Sequence, residues 1–220
     1  MSSIRHTFDE QLSELQHDVV RMGGFAAEAV RLTLLCLMKR DVKFVPQVRE
    51  VEDRIDELNF SIETHALQLL ALQQPMAKDL RTIASVMRII ADIERIGDYA
   101  VDSTHQAELI ADQPLFKPLV DIPKMAETVQ RMLHDSMRAF VTRDLELAQA
   151  VVQLDDQVDH AYHALHDELL SFIQRDPAVA FQAIRLMMIG AYLERMADHI
   201  TNICERIFYI ETGELKELHQ

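Results

Sequence analysis

Residues 87–98 read Met87-Arg88-Ile89-Ile90-Ala91-Asp92-Ile93-Glu94-Arg95-Ile96-Gly97-Asp98. One hundred positions later the chain reads Met187-Met188-Ile189-Gly190-Ala191-Tyr192-Leu193-Glu194-Arg195-Met196-Ala197-Asp198. Both stretches place apolar residues at helical spacing, on one face of a 3.6-residue period. Upstream the match continues at an offset of 103 residues. Arg40-Asp41 pairs with Arg143-Asp144, Val48 with Val151, Val51 with Leu154, Ile55 with Val158, and Ile62 with Leu165. The drift from 103 to 100 means that one connection is three residues shorter in the second copy. A duplicated helical unit explains both offsets.

Helix punctuation then sets the number of elements. Asp41, Gln73-Gln74-Pro75, the stretch from Asp112 through Pro114 and Pro118 to Pro123, Asp144, and Asp176-Pro177 interrupt otherwise continuous helical periodicity. Asp is a favoured N-cap, and Pro is tolerated in a first helical turn. The reading is six helices, at about 5–39, 45–73, 76–111, 121–142, 145–174 and 177–212, with Gly23-Gly24 able to kink the first. Helices this long with short connections form antiparallel bundles. The expected fold is all-α, two tandem up-and-down three-helix bundles, divided at the proline-rich stretch into residues 1–112 and 113–220.

Composition limits the function. The chain has 220 residues, 22 basic and 36 acidic, for a net charge of −14. Such a chain repels a phosphate backbone, so nucleic acid is not an expected partner. Cations and basic protein surfaces are. Cys36 and Cys204 lack metal-type spacing and read as buried, reduced thiols. The N-terminus has no signal-peptide core, and no apolar run is long enough to span a bilayer. Any membrane association would be peripheral. Nothing resembles a nucleophile with its base or a glycine-rich phosphate loop, so no catalytic residue is expected.

The acidic residues carry the chemistry. About six carboxylate pairs at i,i+4 arise by chance in such a chain, so placement matters more than number. At 100° per residue, Glu94 lies about 100° and Asp98 about 140° from the core-facing Ile93. Glu194 and Asp198 take the same bearings from Leu193, Glu52 and Asp56 from Val51, and Asp155 and Asp159 from Leu154. Four helices thus carry one pair each on the rim of the apolar stripe. Converging pairs would bring four carboxylates together, and like charges at close range favour a joining cation. Hard oxygen ligands suit Mg²⁺, Ca²⁺, Mn²⁺ or iron. The alternative is two acidic rims facing water or bridged to Arg95 and Arg195. His160, His163 and His166 recur every three residues on the fifth helix, and His166 falls on the Asp155/Asp159 side, at the position of Glu63 in the first copy.

The two Glu-Arg-x-x-Asp segments, Pro75-Met76-Ala77-Lys78-Asp79-Leu80-Arg81 ahead of the first, and Thr201-Asn202-Ile203-Cys204-Glu205-Arg206 leading to Thr212-Gly213-Glu214 resemble the PhoU family of phosphate transport regulators. The resemblance spans essentially the whole chain. Asp102 departs from the pattern, since Asn202 stands in the other copy. The resemblance implies a cytoplasmic homodimer that negatively regulates phosphate uptake and the phosphate-starvation response. It also implies coupling of the ATPase subunit of a phosphate ABC transporter to a sensor histidine kinase. It further implies divalent or multinuclear metal (iron, zinc, Mg or Mn) at Glu94, Asp98, Glu194 and Asp198, with Glu52, Asp56, Asp155 and Asp159 contributing. A carboxylate-bridged di-iron or iron-storage bundle is the alternative, but its Glu-x-x-His signature occurs only at Glu14–His17, on a helix without one of the four pairs.

Overall fold

The computed structural model describes residues 2–73 and 75–218. Met1, Gln74, His219 and Gln220, which fall at the expected outer boundaries and in the expected second break, lie outside the described residues. Among the described residues six α-helices form: α1 (Ser2–Lys39), α2 (Phe44–Gln73), α3 (Ala77–Glu108), α4 (Asp121–Thr142), α5 (Leu145–Arg175) and α6 (Ala180–Thr212). No strand is present among the described residues.

The repeated Arg-Asp pair proves to be one device used twice. Arg40 and Arg143 both take the left-handed conformation, at φ 52° and 58°. The following Asp N–H groups reach back to Cys36 O and Ala139 O, which closes each helix in a Schellman turn. The Asp side chains then start the next element. Asp41 Oδ1 accepts from Lys43 N at 3.1 Å, and Asp144 Oδ1 accepts from Leu147 N at 2.9 Å. The two loops are thereby held to a few residues, and each helix pair must run antiparallel.

Two interior boundaries shift by three residues, and no kink forms at Gly23-Gly24. The third helix stops at Glu108 because the bonds of Ile110, Ala111 and Gln113 run to the third preceding carbonyl, tightening the chain into turns. The sixth begins with a 3-10 turn, Pro177–Val179, capped by Asp176 through Ala178 N at 3.1 Å. The first runs unbroken through Gly23-Gly24. A Cβ at Gly23 would lie 2.7 Å from Met137 Cγ and Sδ, so that glycine serves close approach of α1 to α4 instead of a kink.

Helices α1, α2 and α3 pack on one another, as do α4, α5 and α6. The most extensive helix pair, however, is α3 with α6, and α1 also meets α4. One hydrophobic core therefore runs through both halves, from Leu15 and Ile55 to Met196 and Ile207, all fully buried. The α3–α6 register is antiparallel and pairs Arg81 with Ile210, Asp92 with His199, Tyr99 with Tyr192, and Gln106 with Arg185. Each step forward on α3 is matched by an equal step back on α6. The two copies are thus related by an approximate twofold passing near Arg95-Ile96 and Arg195-Met196, which sets both acidic motifs at one level of the bundle.

Candidate metal centre

In the first half, α2 and α3 cross closely at Gly97. A Cβ there would lie 3.0 Å from Ile55 Cδ1 and 3.9 Å from Glu52 Cγ. The small residue of the motif lets the helices approach, and the approach brings the carboxylates of Glu52 and Asp56 toward those of Glu94 and Asp98. Glu94 is half-buried, and its Oε2 accepts from Asn59 Nδ2 on α2 at 3.0 Å. Glu52, Asp98 and Asp102 line a depression of about 260 Å³ with Arg95, Tyr99 and Val101.

The electrostatics report the same convergence. Burial, and then the negative charges of Asp56, Asp53, Asp98 and Glu94, raise the Glu52 carboxyl above its ordinary range. Asp56 is raised by burial, then by Asp98 and Asp53. Glu94 is raised by burial, then by Asp98 and Asp56, against smaller opposing effects of Arg95 and Asn59. Each of these groups feels a carboxylate on the opposite helix, and this repulsion is what a cation would relieve. In the first half the alternative of an arginine-bridged rim is realised at Asp98, where Arg95 Nη1 donates to Asp98 Oδ2 at 3.1 Å. That pair is exposed, and such pairs contribute little.

The second half repeats the plan with differences. Burial, followed by Asp198 and by Asp159 across the helix pair, raises Glu194, while Arg195 and His163 act the other way. Asp159 Oδ1 is buried without a hydrogen-bond partner. Asp155 is 6% exposed, the most buried of the eight acids, and its charge also reaches the Cys204 thiol. The histidine that acts on the acids is His163. His166, which its bearing sets on the Asp155/Asp159 side, stands 3.6 Å from Asp167 and edge-on to the Tyr162 ring.

All eight expected residues lie on the two helix crossings. Among the described residues, however, no three His, Cys, Asp or Glu side chains already converge on a point that would hold a metal ion. The oxygen-rich surroundings and the orphaned Asp159 oxygen suit a hard divalent cation, reached by side-chain adjustment on open acidic faces. Glu14 and His17 lie on the exposed face of α1 with Thr7, Glu10 and Gln11.

Several residues at or between these sites escaped the sequence reading. Asn59 continues the Glu52–Asp56 stripe by one turn. Asp92 Oδ1 meets His199 Nδ1 at 2.9 Å and accepts from Asn202 Nδ2 at 3.3 Å, joining α3 to α6. At the place related by the twofold, Tyr192 stacks on Tyr99 at 5.7 Å and feels the charge of Asp102. The Asp102/Asn202 departure therefore belongs to this seam as much as to the first acidic face. The hundred-residue offset, combined with antiparallel pairing, was the available signal.

Comparison with known proteins agrees with this architecture. The PhoU domain matches twice, at residues 19–106 and 122–207. A Clostridium acetobutylicum protein described as a phosphate-specific transport system accessory protein PhoU homolog is 33% identical over 216 residues, 98% of this chain and 99% of its own. A Synechocystis homolog with the same description is 36% identical over 210 residues, 95% of this chain and 93% of its own. The crystal structure of PhoU from Pseudomonas aeruginosa superposes with a TM-score of 0.90 at 30% identity, over 94% of this chain and 100% of that one. The phosphate transport system regulatory protein PhoU from Streptococcus pneumoniae gives a TM-score of 0.84 at 31% identity, over 95% and 99%. With two tandem copies of the domain and relatives aligned along nearly its whole length, the chain belongs to the PhoU family.

Proposed function

We propose that this protein is an accessory regulator of phosphate-specific transport. It acts in the cytoplasm as a homodimer, restrains phosphate uptake, and represses the phosphate-starvation response. It does so by linking the ATPase subunit of the phosphate ABC transporter to a sensor histidine kinase, with no reaction of its own. The supporting observation is the whole-chain match to proteins described as phosphate-specific transport accessory proteins, with both copies of the family domain intact. No helix is long and apolar enough to cross a membrane among the described residues, so a membrane partner would be met from one side.

In this reading residues 1–112 and 113–220 are two copies of one cation-responsive unit. Glu52, Asp56, Glu94 and Asp98 would hold a divalent ion or multinuclear cluster of iron, zinc, Mg or Mn in the first. Asp155, Asp159, Glu194 and Asp198 would do so in the second. A bound cation supplies positive charge between helices that otherwise repel. Glu52 and Glu94 on the first crossing, and Asp159 and Glu194 on the second, tie that charge to the spacing of neighbouring helices.

Deletion of the gene is the direct test. Phosphate-starvation genes are expected to stay active in phosphate-rich medium and to be repressed again when the gene is restored. Normal repression in the deletion strain would reject the regulatory role.

A further inference from the structure

The outermost face of α2 carries a feature that neither acidic site uses. Phe60 is 74% exposed and Leu67 is 50% exposed. They are seven residues apart, two helical turns or about 10 Å along the axis. Measured from the buried Val51, Phe60 lies at about 180° and Leu67 at about 160°, directly away from the core. Glu57 and Glu63 are exposed on either side, at about 240° and 120°. The result is a short apolar ridge between two acidic rails.

The internal duplication supplies a control within the same molecule. At the offset of 103, Glu57, Phe60 and Glu63 correspond to His160, His163 and His166 on α5. The two copies keep the core positions and the rim acids but differ on this outer face, where histidines stand in place of Glu57, Phe60 and Glu63 and Leu67 alone keeps an exposed apolar counterpart, Leu170. The aromatic anchor and its two flanking glutamates are thus properties of α2 and not of the repeated fold.

We propose that the outer face of α2 docks a basic amphipathic helix of a partner protein. Leucine-type side chains at i, i+3 and i+7 of that helix would cover Phe60 and Leu67, and flanking lysines or arginines would face Glu57 and Glu63. The charge pattern sets the occupant. A second copy of this chain laid on the ridge would bring rails of the same sign together, and an anionic lipid surface would meet the same repulsion. The inference names the chemistry of one partner contact within the adaptor reading. Its test is made in solution, so its failure would leave the gene-deletion test of that reading untouched.

Fluorescence anisotropy with two synthetic helical peptides of identical leucine stripe, one flanked by Lys and one by Glu, tests the assignment. The full chain is expected to bind the Lys peptide and not the Glu peptide. Phe60→Ser with Leu67→Ser should weaken binding by about tenfold or more, as truncation of a central apolar anchor does. Glu57→Gln with Glu63→Gln should weaken it several-fold and flatten its salt dependence. Leu170→Ser on α5 should leave it unchanged. All these positions are exposed and lie outside the buried apolar stripe of their helices, and Glu57→Gln with Glu63→Gln keeps every apolar contact. Absence of binding, or equal binding to every variant, would overturn the proposal. So would self-association in sedimentation, or binding to phosphatidylcholine vesicles, that disappears with Phe60 and Leu67.

Discussion

Replacing Gly190 by Ala probes the close helix crossing of the second half, and replacing Gly24 by Ala supplies its control. Both glycines lie inside helices, where Ala is favoured by about 1 kcal/mol through helix propensity. A Cβ at Gly190 would stand 2.8 Å from Leu165 Cδ2 and 3.3 Å from Tyr162 Cδ2. Leu165 is 2% exposed and cannot swing into solvent, so α5 and α6 must part or Leu165 must leave its rotamer. Overpacking of this kind costs roughly 1–3 kcal/mol, which outweighs the propensity gain. At Gly24 a Cβ meets nothing within 4 Å, so only the gain remains. We expect Gly190→Ala to lower stability by about 1 kcal/mol net and Gly24→Ala to raise it by about as much. At about 2–4 °C for each kcal/mol in a chain of this size, the two melting temperatures should separate by several degrees in opposite directions. Circular dichroism melts at matched pH and ionic strength read this directly. Two variants that melt together, or a Gly190→Ala protein more stable than its parent, would refute the packing argument at the α5–α6 crossing.

Four further outcomes follow. The Glu52, Asp56, Glu94 and Glu194 carboxyls are raised in the folded state, so it keeps protons that the unfolded chain has released. These groups therefore make stability fall as pH rises above the ordinary values of 3.8 for Asp and 4.5 for Glu. Glu94→Gln should flatten that fall in urea titrations between acidic and neutral pH, and an unchanged slope would count against cross-helix repulsion. Asp92→Ala strands His199 and Asn202 at the α3–α6 seam and should cost about 1–3 kcal/mol. A double-mutant cycle of Asp92→Ala with His199→Ala should then return coupling of at least about 0.5 kcal/mol, and additivity would show the contact to be idle. Burial raises the Cys36 thiol to about 11 and that of Cys204 higher still, so neither should react with a thiol reagent until the protein is unfolded. Breaking the exposed Lys78–Glu211 pair by Lys78→Ala should change stability by less than about 1 kcal/mol in the same melts.

Much of the fold was legible because its punctuation is chemical. Asp144 and Asp176 cap helices through their own side chains, and the Arg-Asp pairs end one helix and begin the next. Boundaries slipped where hydrogen bonding changes from the fourth to the third preceding residue, as after Glu108, which apolar periodicity does not record. Gly23 suggested a kink because composition shows a missing side chain and not the Met137 that fills its space. At the acidic faces, bearings from the core placed all eight carboxylates on the α2–α3 and α5–α6 crossings. They could not settle side-chain reach: they set His166 on the Asp155/Asp159 side, and it is His163 whose charge acts on Glu194. The seam of Asp92, His199, Tyr99 and Tyr192 depends on how two distant helices pair, which a periodicity within one helix leaves open.

Elemental analysis of untagged protein purified from its own cells, beside a Glu94→Gln/Glu194→Gln variant prepared identically, bears most directly on the two acidic centres. Divalent or multinuclear metal should accompany the parent protein and be lost or sharply reduced in the variant, with both proteins folded. Metal-free parent protein, or equal metal in the two, would contradict cation binding at these helix crossings.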